Sequence, residues 1–324
     1  MPNLTIVQAV NYALMQEMAR DANVIVLGED VARNGGVFRA TEGLWEKFGD
    51  GRVIDTPLAE SGIVGVSIGL AAYGFRPVAE IQFDGFTYPA FDQLISHATR
   101  IRTRSRGRFS CPLVVRAPYG GGIHAPEHHS EAPEAFYTHM PGVKVVIPST
   151  PYDTKGLLVS AIRDPDPVIF FEPKKIYRAF KQEVPEEDYA IPLGKASVAR
   201  EGVDVSIFTW GSMVRTCLEA AEKIKDRVSV EVVDMRTLSP LDTDAINASV
   251  KKTGRVVIVH EAPKSSGVGA EIAALIDRKD LLYLEAPVVR VTGFDTVFPL
   301  AKLEKYYMPD ASRITKGIEK VMDF

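Results

Sequence analysis

Two stretches gather the side chains that could do chemistry. The denser is His124-Ala125-Pro126-Glu127-His128-His129-Ser130-Glu131, which holds three of the chain's 6 histidines and follows the loop Gly120-Gly121-Gly122. An imidazole titrates near neutrality, so this cluster suits proton transfer or polar substrate binding. Histidine and glutamate are also metal ligands. Against a metal, Pro126 prevents a helical presentation of His124 and His128, and no cysteine completes a ligand set. A solvated loop is the third reading. The other stretch is Asp55-Thr56-Pro57-Leu58-Ala59-Glu60-Ser61-Gly62. Glu60 stands just before a small-residue run, Ile63 to Gly74, that reads as a buried helix. An acid at the mouth of an apolar element is costly unless something pairs with it. Glu60 is either a first-turn acid favoured by the helix dipole or a group that faces a ligand.

The elements that must position these residues alternate. Apolar groups at Ile6, Ala9, Val10, Ala13, Leu14 and Met18 have a helical period, with Thr5 as a cap. Short apolar runs at Val24–Gly28, Val53–Asp55, Pro77–Phe83, Leu113–Arg116, Lys144–Ile147 and Val168–Glu172 read as buried parallel strands. Helical segments at Pro89–Arg102 and Tyr152–Ile162 fall between them, the latter capped by Ser149 or Thr150. Residues 173–195 change character, with Pro173, Pro185, Pro192 and four nearby acids. A second alternating series follows. Its strands are 205–211, 228–233, 255–260 and 288–291, and its helices 213–224, 243–250, 267–278 and 312–321, the last capped by Ser312. The expected architecture is α/β, with two parallel-sheet domains at 1–176 and 197–324 joined by a connector at 177–196. The glycines at 62, 65, 69 and 74 cost helix stability, so that helix is expected to offer a flat face to another backbone.

Composition narrows the function. The 324 residues are 46% hydrophobic and 25% charged, with a net charge of -4. That balance argues against a nucleic-acid or anionic membrane surface as main partner. No apolar run reaches membrane-spanning length, and the start Met-Pro-Asn-Leu-Thr has no signal-like pattern. Cys111 and Cys217 lie far apart and suit free thiols in a reducing cytoplasm. No Gly-x-Ser-x-Gly elbow or dinucleotide fingerprint occurs, and the glycine loop lacks the Lys-Ser/Thr ending of a phosphate-binding loop.

An ordered set of motifs then matches a family. It comprises Asp55 to Gly62, Glu80-Ile81-Gln82-Phe83, His129-Ser130, Pro133-Glu134-Ala135-Phe136, Lys144 to Pro151, Lys155-Gly156-Leu157-Leu158 and Phe170 to Lys174. Asp234 to Thr237, Lys252 to Arg255 and His260-Glu261-Ala262-Pro263 extend it along nearly the whole chain. The set resembles the β subunit of the thiamine-diphosphate-dependent 2-oxo acid dehydrogenase component, the branched-chain type first and the pyruvate type next.

The resemblance implies a pyrimidine-binding domain followed by a transketolase C-terminal-like domain. It implies oxidative decarboxylation of a branched-chain 2-oxo acid and acylation of a lipoyl group on the dihydrolipoyl acyltransferase. That enzyme's subunit-binding and lipoyl domains would be partners, and an α subunit would complete an α2β2 heterotetramer. The α subunit would bring the ligands for diphosphate and magnesium. Gly49-Asp50-Gly51 opens such a motif here, but no Asn-Asn follows at the required distance. By position Glu60 matches the glutamate that hydrogen-bonds a ring nitrogen of the cofactor's aminopyrimidine. Phe86 matches the aromatic packed on that ring, and Leu58 and Gln82 match other cofactor-pocket positions. His129 matches the histidine assigned to acylation or proton transfer, with Glu131 where glutamine is usual. Ala161, Asp164 and Asp166 match a potassium-binding segment, and Asp164 and Asp166 equally suit a plain turn. Two other readings stand beside this one: a non-catalytic assembly subunit, and a fragment of a transketolase-like enzyme.

Overall fold

Helix α1 (Ile6–Arg20) starts at a reciprocal capping box, in which Thr5 Oγ accepts the Gln8 N–H and Gln8 Oε1 accepts the Thr5 N–H at 3.0 Å. The computed structural model describes residues 1–324, and they fall into two units. One comprises Met1–Tyr119 and Phe136–Leu193, the other Gly120–Ala135 and Gly194–Phe324.

In the first unit, strands β1 (Val24–Gly28), β2 (Val53–Asp55), β3 (Arg76–Glu80), β4 (Val114–Tyr119), β5 (Lys144–Val146) and β6 (Val168–Pro173) run in the order β5-β6-β4-β3-β1-β2. Every pairing among them is parallel. Burial on both faces explains why β1 and the first residues of β4 and β6 read as continuous apolar runs. Ile6, Val10, Leu14 and Met18 of α1 form a core with Leu157, Leu158 and Ile162 of helix α4 (Pro151–Arg163) and with Val26, Val78 and Phe170 of the sheet. Helices α2 (Glu60–Ala72) and α3 (Thr87–Ser96) also pack together.

Several expectations need correction. The run after Glu60 is not buried all round: Ile63, Val64, Ser67 and Ala71 face inward, while Val66 is 58% exposed. The strand expected at 77–83 ends at Glu80, because the chain turns at Asp84–Phe86. The helix expected through Arg102 breaks after Ser96 into shorter turns. Thr150 caps α4 by accepting the Asp153 N–H.

Residues 182–193, rich in proline and acid, lie against α4. The Ile191 N–H donates to Gly156 O at 3.0 Å, and Ser160 Oγ donates to Ile191 O at 2.6 Å. The buried Lys155 ammonium donates to the carbonyls of Pro185 and Glu187 and sits over the rings of Tyr12 and Tyr189.

The second unit holds a 5-stranded sheet in the order β11-β10-β8-β9-β7. These strands are β7 (Ser197–Arg200), β8 (Val205–Thr209), β9 (Val230–Asp234), β10 (Val256–Val259) and β11 (Val289–Val291). All pair in parallel except edge strand β7, which is antiparallel to β9. Helices α5 (Ser212–Lys223), α6 (Thr243–Thr253), α7 (Val268–Asp280) and α8 (Ala311–Met322) cover it. Asp310, not Ser312, caps α8, accepting the Arg313 N–H at 2.7 Å. Both cysteines are free and buried. No helix is long and apolar enough to cross a membrane.

One tight seam in the first unit is at Gly156, where a Cβ would meet Ile191 Cγ1 at 2.6 Å and Tyr189 Cε2 at 2.7 Å. Gly156→Ala is therefore expected to cost about 1–3 kcal/mol by overpacking. Urea unfolding reads the loss, and limited proteolysis should show faster cutting within 182–193.

Candidate active site

Three neighbouring strands of the first unit end together. Gly28 is the register partner of both Asp55 and Glu80. Glu29, the loop to Glu60 and the segment from Ile81 to Phe86 thus leave one edge of the sheet, its carboxyl edge, where open α/β sheets bind ligands. Backbone bonds fix these exits. Asp55 Oδ1 accepts the Ala32 N–H at 2.7 Å, and the Thr56 N–H donates to Gly28 O at 2.9 Å.

Glu60 is the first residue of α2 and only 9% exposed. The helix dipole favours its carboxylate there. Glu29 lies close enough for the two charges to interact. Burial first, and then the charges of Glu60 and Asp30, hold the Glu29 carboxyl above its usual range. Glu29 Oε1 is buried without a hydrogen-bond partner. A crowded pair of carboxylates with an unused acceptor is matched to a group that brings N–H donors, as an aminopyrimidine does. Glu29 was not singled out from the sequence; its only mark was the Gly-Glu-Asp ending of the first strand.

Gln82 and Phe86 are half-buried beyond the end of β3. Phe83 and Phe86 meet edge to face at 6.0 Å, and Phe38 meets Phe83 at 5.5 Å. Leu58, in the loop between β2 and α2, is 78% exposed. Beneath these residues lies a buried ionic network. Arg116 Nη1 donates to Glu80 Oε2 at 2.9 Å, and its Nε and Nη2 donate to the two Glu172 oxygens at 2.6 and 3.1 Å. The Tyr177 hydroxyl donates to Glu172, and Lys174 pairs with Asp84. Burial opposes the Arg116 charge, but Glu172 and Glu80 outweigh it and raise its pKa. Burial, helped by the Glu172 charge, holds Glu80 above the usual carboxylate range despite Arg116.

His129 belongs to the second unit. It ends a 3-10 turn, Glu127–His129, in which the His129 N–H donates to Pro126 O at 2.9 Å. Ser130 Oγ donates to Pro126 O at 3.0 Å, and the Gly120 N–H donates to Glu131 O at 3.0 Å, so the loop closes on itself. Around Tyr307, burial first and then the charges of Glu131, Glu261, Asp295 and Glu134 push the hydroxyl up to about 12.

The residues expected to hold potassium do not fit a cation. Lys144 Nζ pairs with Asp164 at 2.6 Å, and Arg102 Nε with Asp166 at 2.6 Å. Arg76 donates to the carbonyls of Ile162 and Asp164, and Ala161 is buried. The turn already has its positive charge. No group of three or more His, Cys, Asp or Glu side chains is placed to hold a metal.

Two tests follow from these charges. Arg116→Leu strands Glu80 and Glu172 without their cation and is expected to cost about 3–5 kcal/mol in urea unfolding at neutral pH. The second concerns His260, whose ring stacks on Trp210 at 5.2 Å. Burial, then the Arg290 charge, push its imidazole down to about 4. The folded state holds it neutral, and the unfolded chain protonates near pH 6.5. Its stabilisation is full above about pH 6.5 and fades as pH falls towards 4, by about 3 kcal/mol in all. The slope of unfolding free energy over that window should be shallower in His260→Gln.

Comparison with known proteins agrees with this layout. Residues 3–179 match the transketolase pyrimidine-binding domain, and residues 194–314 the transketolase C-terminal domain. The chain is 54% identical to the pyruvate dehydrogenase E1 component subunit beta of Bacillus subtilis, with 100% of both chains covered. It is 52% identical to the subunit of that name from Acholeplasma laidlawii, over 98% of each. A split-gene transketolase, described as an inactive beta4 tetramer, shares the fold with a TM-score of 0.81 at 24% identity over 99% of each chain. These relatives support the pyruvate type. The leaning towards the branched-chain type, drawn from Pro133 to Phe136, Phe170 to Lys174 and His260 to Pro263, is corrected accordingly, since relatives named for the pyruvate type match 98% or more of the chain at 50% identity or more. The chain belongs to the pyruvate dehydrogenase E1 component β-subunit family, within the transketolase-like fold.

Proposed function

We propose that this chain is the β half of an enzyme that oxidatively decarboxylates pyruvate and transfers the acetyl group to a lipoyl group of a dihydrolipoyl acyltransferase. The observation that carries the proposal is the pair Glu60 and Glu29, crowded at the carboxyl edge of the sheet, with a buried acceptor left unused. Thiamine diphosphate, when bound, supplies the electron sink for decarboxylation. Glu60 would hold a hydrogen bond to a ring nitrogen of its aminopyrimidine. Placed at the start of α2, in a site of low dielectric, that carboxylate acts more strongly than it would in water. Phe86 would offer an aromatic face to the aminopyrimidine, and Leu58 and Gln82 would be further contacts of the cofactor. His129 would serve the later transfer to the lipoyl group, holding or delivering a proton as an imidazole can near neutral pH.

An α subunit is needed in this reading. Asp50 has no downstream asparagine partner, so the diphosphate and magnesium ligands would come from that second chain, in an α2β2 assembly. The exposed side of α2, with Gly62, Gly69 and Val66, and the exposed Leu58 suit a surface that a partner covers.

Glu60→Gln in the enzyme reconstituted with its α subunit tests the role. Decarboxylation with an artificial electron acceptor is expected to fall about 10²–10⁴-fold, with assembly intact by size. Full activity would instead favour a non-catalytic assembly subunit. The same preparation sets the substrate. Pyruvate should show a higher kcat/KM than 2-oxobutyrate, and branched 2-oxo acids lower still, by about 10–200-fold for each extra methylene. A preference for branched acids would overturn the pyruvate assignment.

A further inference from the structure

Between Gly120 and Pro133 the one piece of regular structure is a 3-10 turn, and a short helix, Glu134–Thr138, begins only at the segment's end. The stretch that carries His129 must therefore be held by something other than a helix or strand. Three buried carboxylates do so, all within the second unit. Near its start, Glu261, 4% exposed, accepts the Gly121 N–H at 3.1 Å, and Ser212 Oγ donates to the other Glu261 oxygen. In its middle, Glu304 Oε2 accepts the His124 N–H at 3.2 Å, and Glu304 Oε1 lies 3.7 Å from His124 Nε2. Near its end, Glu134 Oε1 accepts the Trp210 indole N–H at 3.2 Å.

The seating at the first of these points is tight. A Cβ on Gly120, which has φ +79°, would meet Glu261 Oε2 at 2.6 Å, and one on Gly121 would meet Phe298 Cζ at 2.5 Å. A charge-assisted bond to a backbone N–H is short and directional. A buried carboxylate that lost it would be left with an unpaid desolvation cost. Register along the segment is thus set at both ends of the stretch that carries His129. Glu261 lies two residues past the end of β10, and Trp210 lies directly after β8. The framework therefore dictates where the histidine turn stands.

We propose that Glu261, with Trp210 as a second latch, is a positioning residue for His129 in the acyl-transfer stage. The proposal rests on the role given to His129 above. It predicts that loosening either latch harms the step that uses the imidazole more than the step that uses Glu60.

The test uses the enzyme reconstituted with its α subunit and two rates: decarboxylation to an artificial acceptor, and acylation of an isolated lipoyl domain. Glu261→Ala should lower acylation about 10–100-fold, the scale of a small misplacement, and decarboxylation much less. Glu261→Gln keeps an oxygen for the Gly121 N–H and should recover most of the loss. The double variant Glu261→Ala with His129→Ala should be no slower in acylation than His129→Ala alone. Additive losses, or equal losses in both rates, would overturn the proposal. If Glu261→Ala does not assemble, Trp210→Phe carries the same comparison, because it keeps an aromatic ring over His260 while removing the indole N–H. If His129→Ala slows acylation while neither latch variant does, the positioning role falls alone. If His129→Ala leaves acylation intact, the role of His129 falls and the positioning role with it.

Discussion

Arg116 stands between Glu80 and Glu172 on three adjacent strands, and the functional edge of the first unit is built above that contact. One guanidinium faces two carboxylates in the interior, with 1% or less of Arg116 and Glu172 exposed. Such a cluster is tolerable only because its oxygens are otherwise satisfied. Tyr177 takes one Glu172 oxygen, and the raised Glu80 pKa eases the charge imbalance. Lys174 and Asp84 form a second buried pair one turn further on. Arg116 is a register partner of Glu80, so the ion pair and the strand pairing enforce the same alignment. That alignment decides where Gln82 and Phe86 emerge. Hydrophobic packing alone would tolerate slippage more readily than a bidentate guanidinium does.

Above that floor the logic reverses. Where Arg116 cancels charge, Glu29 and Glu60 concentrate it. Holding two carboxylates near each other at a half-buried edge lowers stability, and the raised Glu29 pKa is the sign of it. A fold does not keep such an arrangement for its own sake. A ligand with N–H donors would release that tension and so bind more favourably at this edge than in an apolar cleft of the same shape. Sites that are unfavourable alone and favourable when filled are common where binding must be coupled to chemistry.

Much of this was legible in the sequence, and the exceptions share one cause. Val24–Gly28, Lys144–Val146 and Val168–Pro173 announced themselves because burial on both faces leaves continuous apolar runs. Glu60 was visible because an acid beside a small-residue run is out of place unless it has work. Arg116 read only as a strand ending, since its partners lie 36 and 56 residues away and no periodicity links them. Ser197–Arg200, at the start of the second domain, did not read as a strand because half of this edge strand is exposed and carries no apolar run. The α8 cap was misplaced by two residues because Asp310 and Ser312 have the same capping chemistry. Glu261 appeared only inside a family motif, because its contact to Gly121 spans 140 residues.

The two candidate catalytic groups illustrate two ways to fix a side chain. Glu60 inherits its position from regular structure, through strand register and the first turn of a helix. His129 sits in an irregular loop, where backbone conformation alone specifies little. Its segment gains definition from long-range carboxylate bonds to Gly121 and His124 and from an indole N–H. The first device is rigid by construction and hard to alter without unfolding the sheet. The second is assembled from separable contacts, each of which can be removed singly. A reaction whose first stage needs an invariant carboxylate, and whose second stage must meet an incoming carrier, is served by one group of each kind. Under the roles proposed for Glu60 and His129, the irregular segment is the place where sequence change would retune the second stage while leaving the first in register.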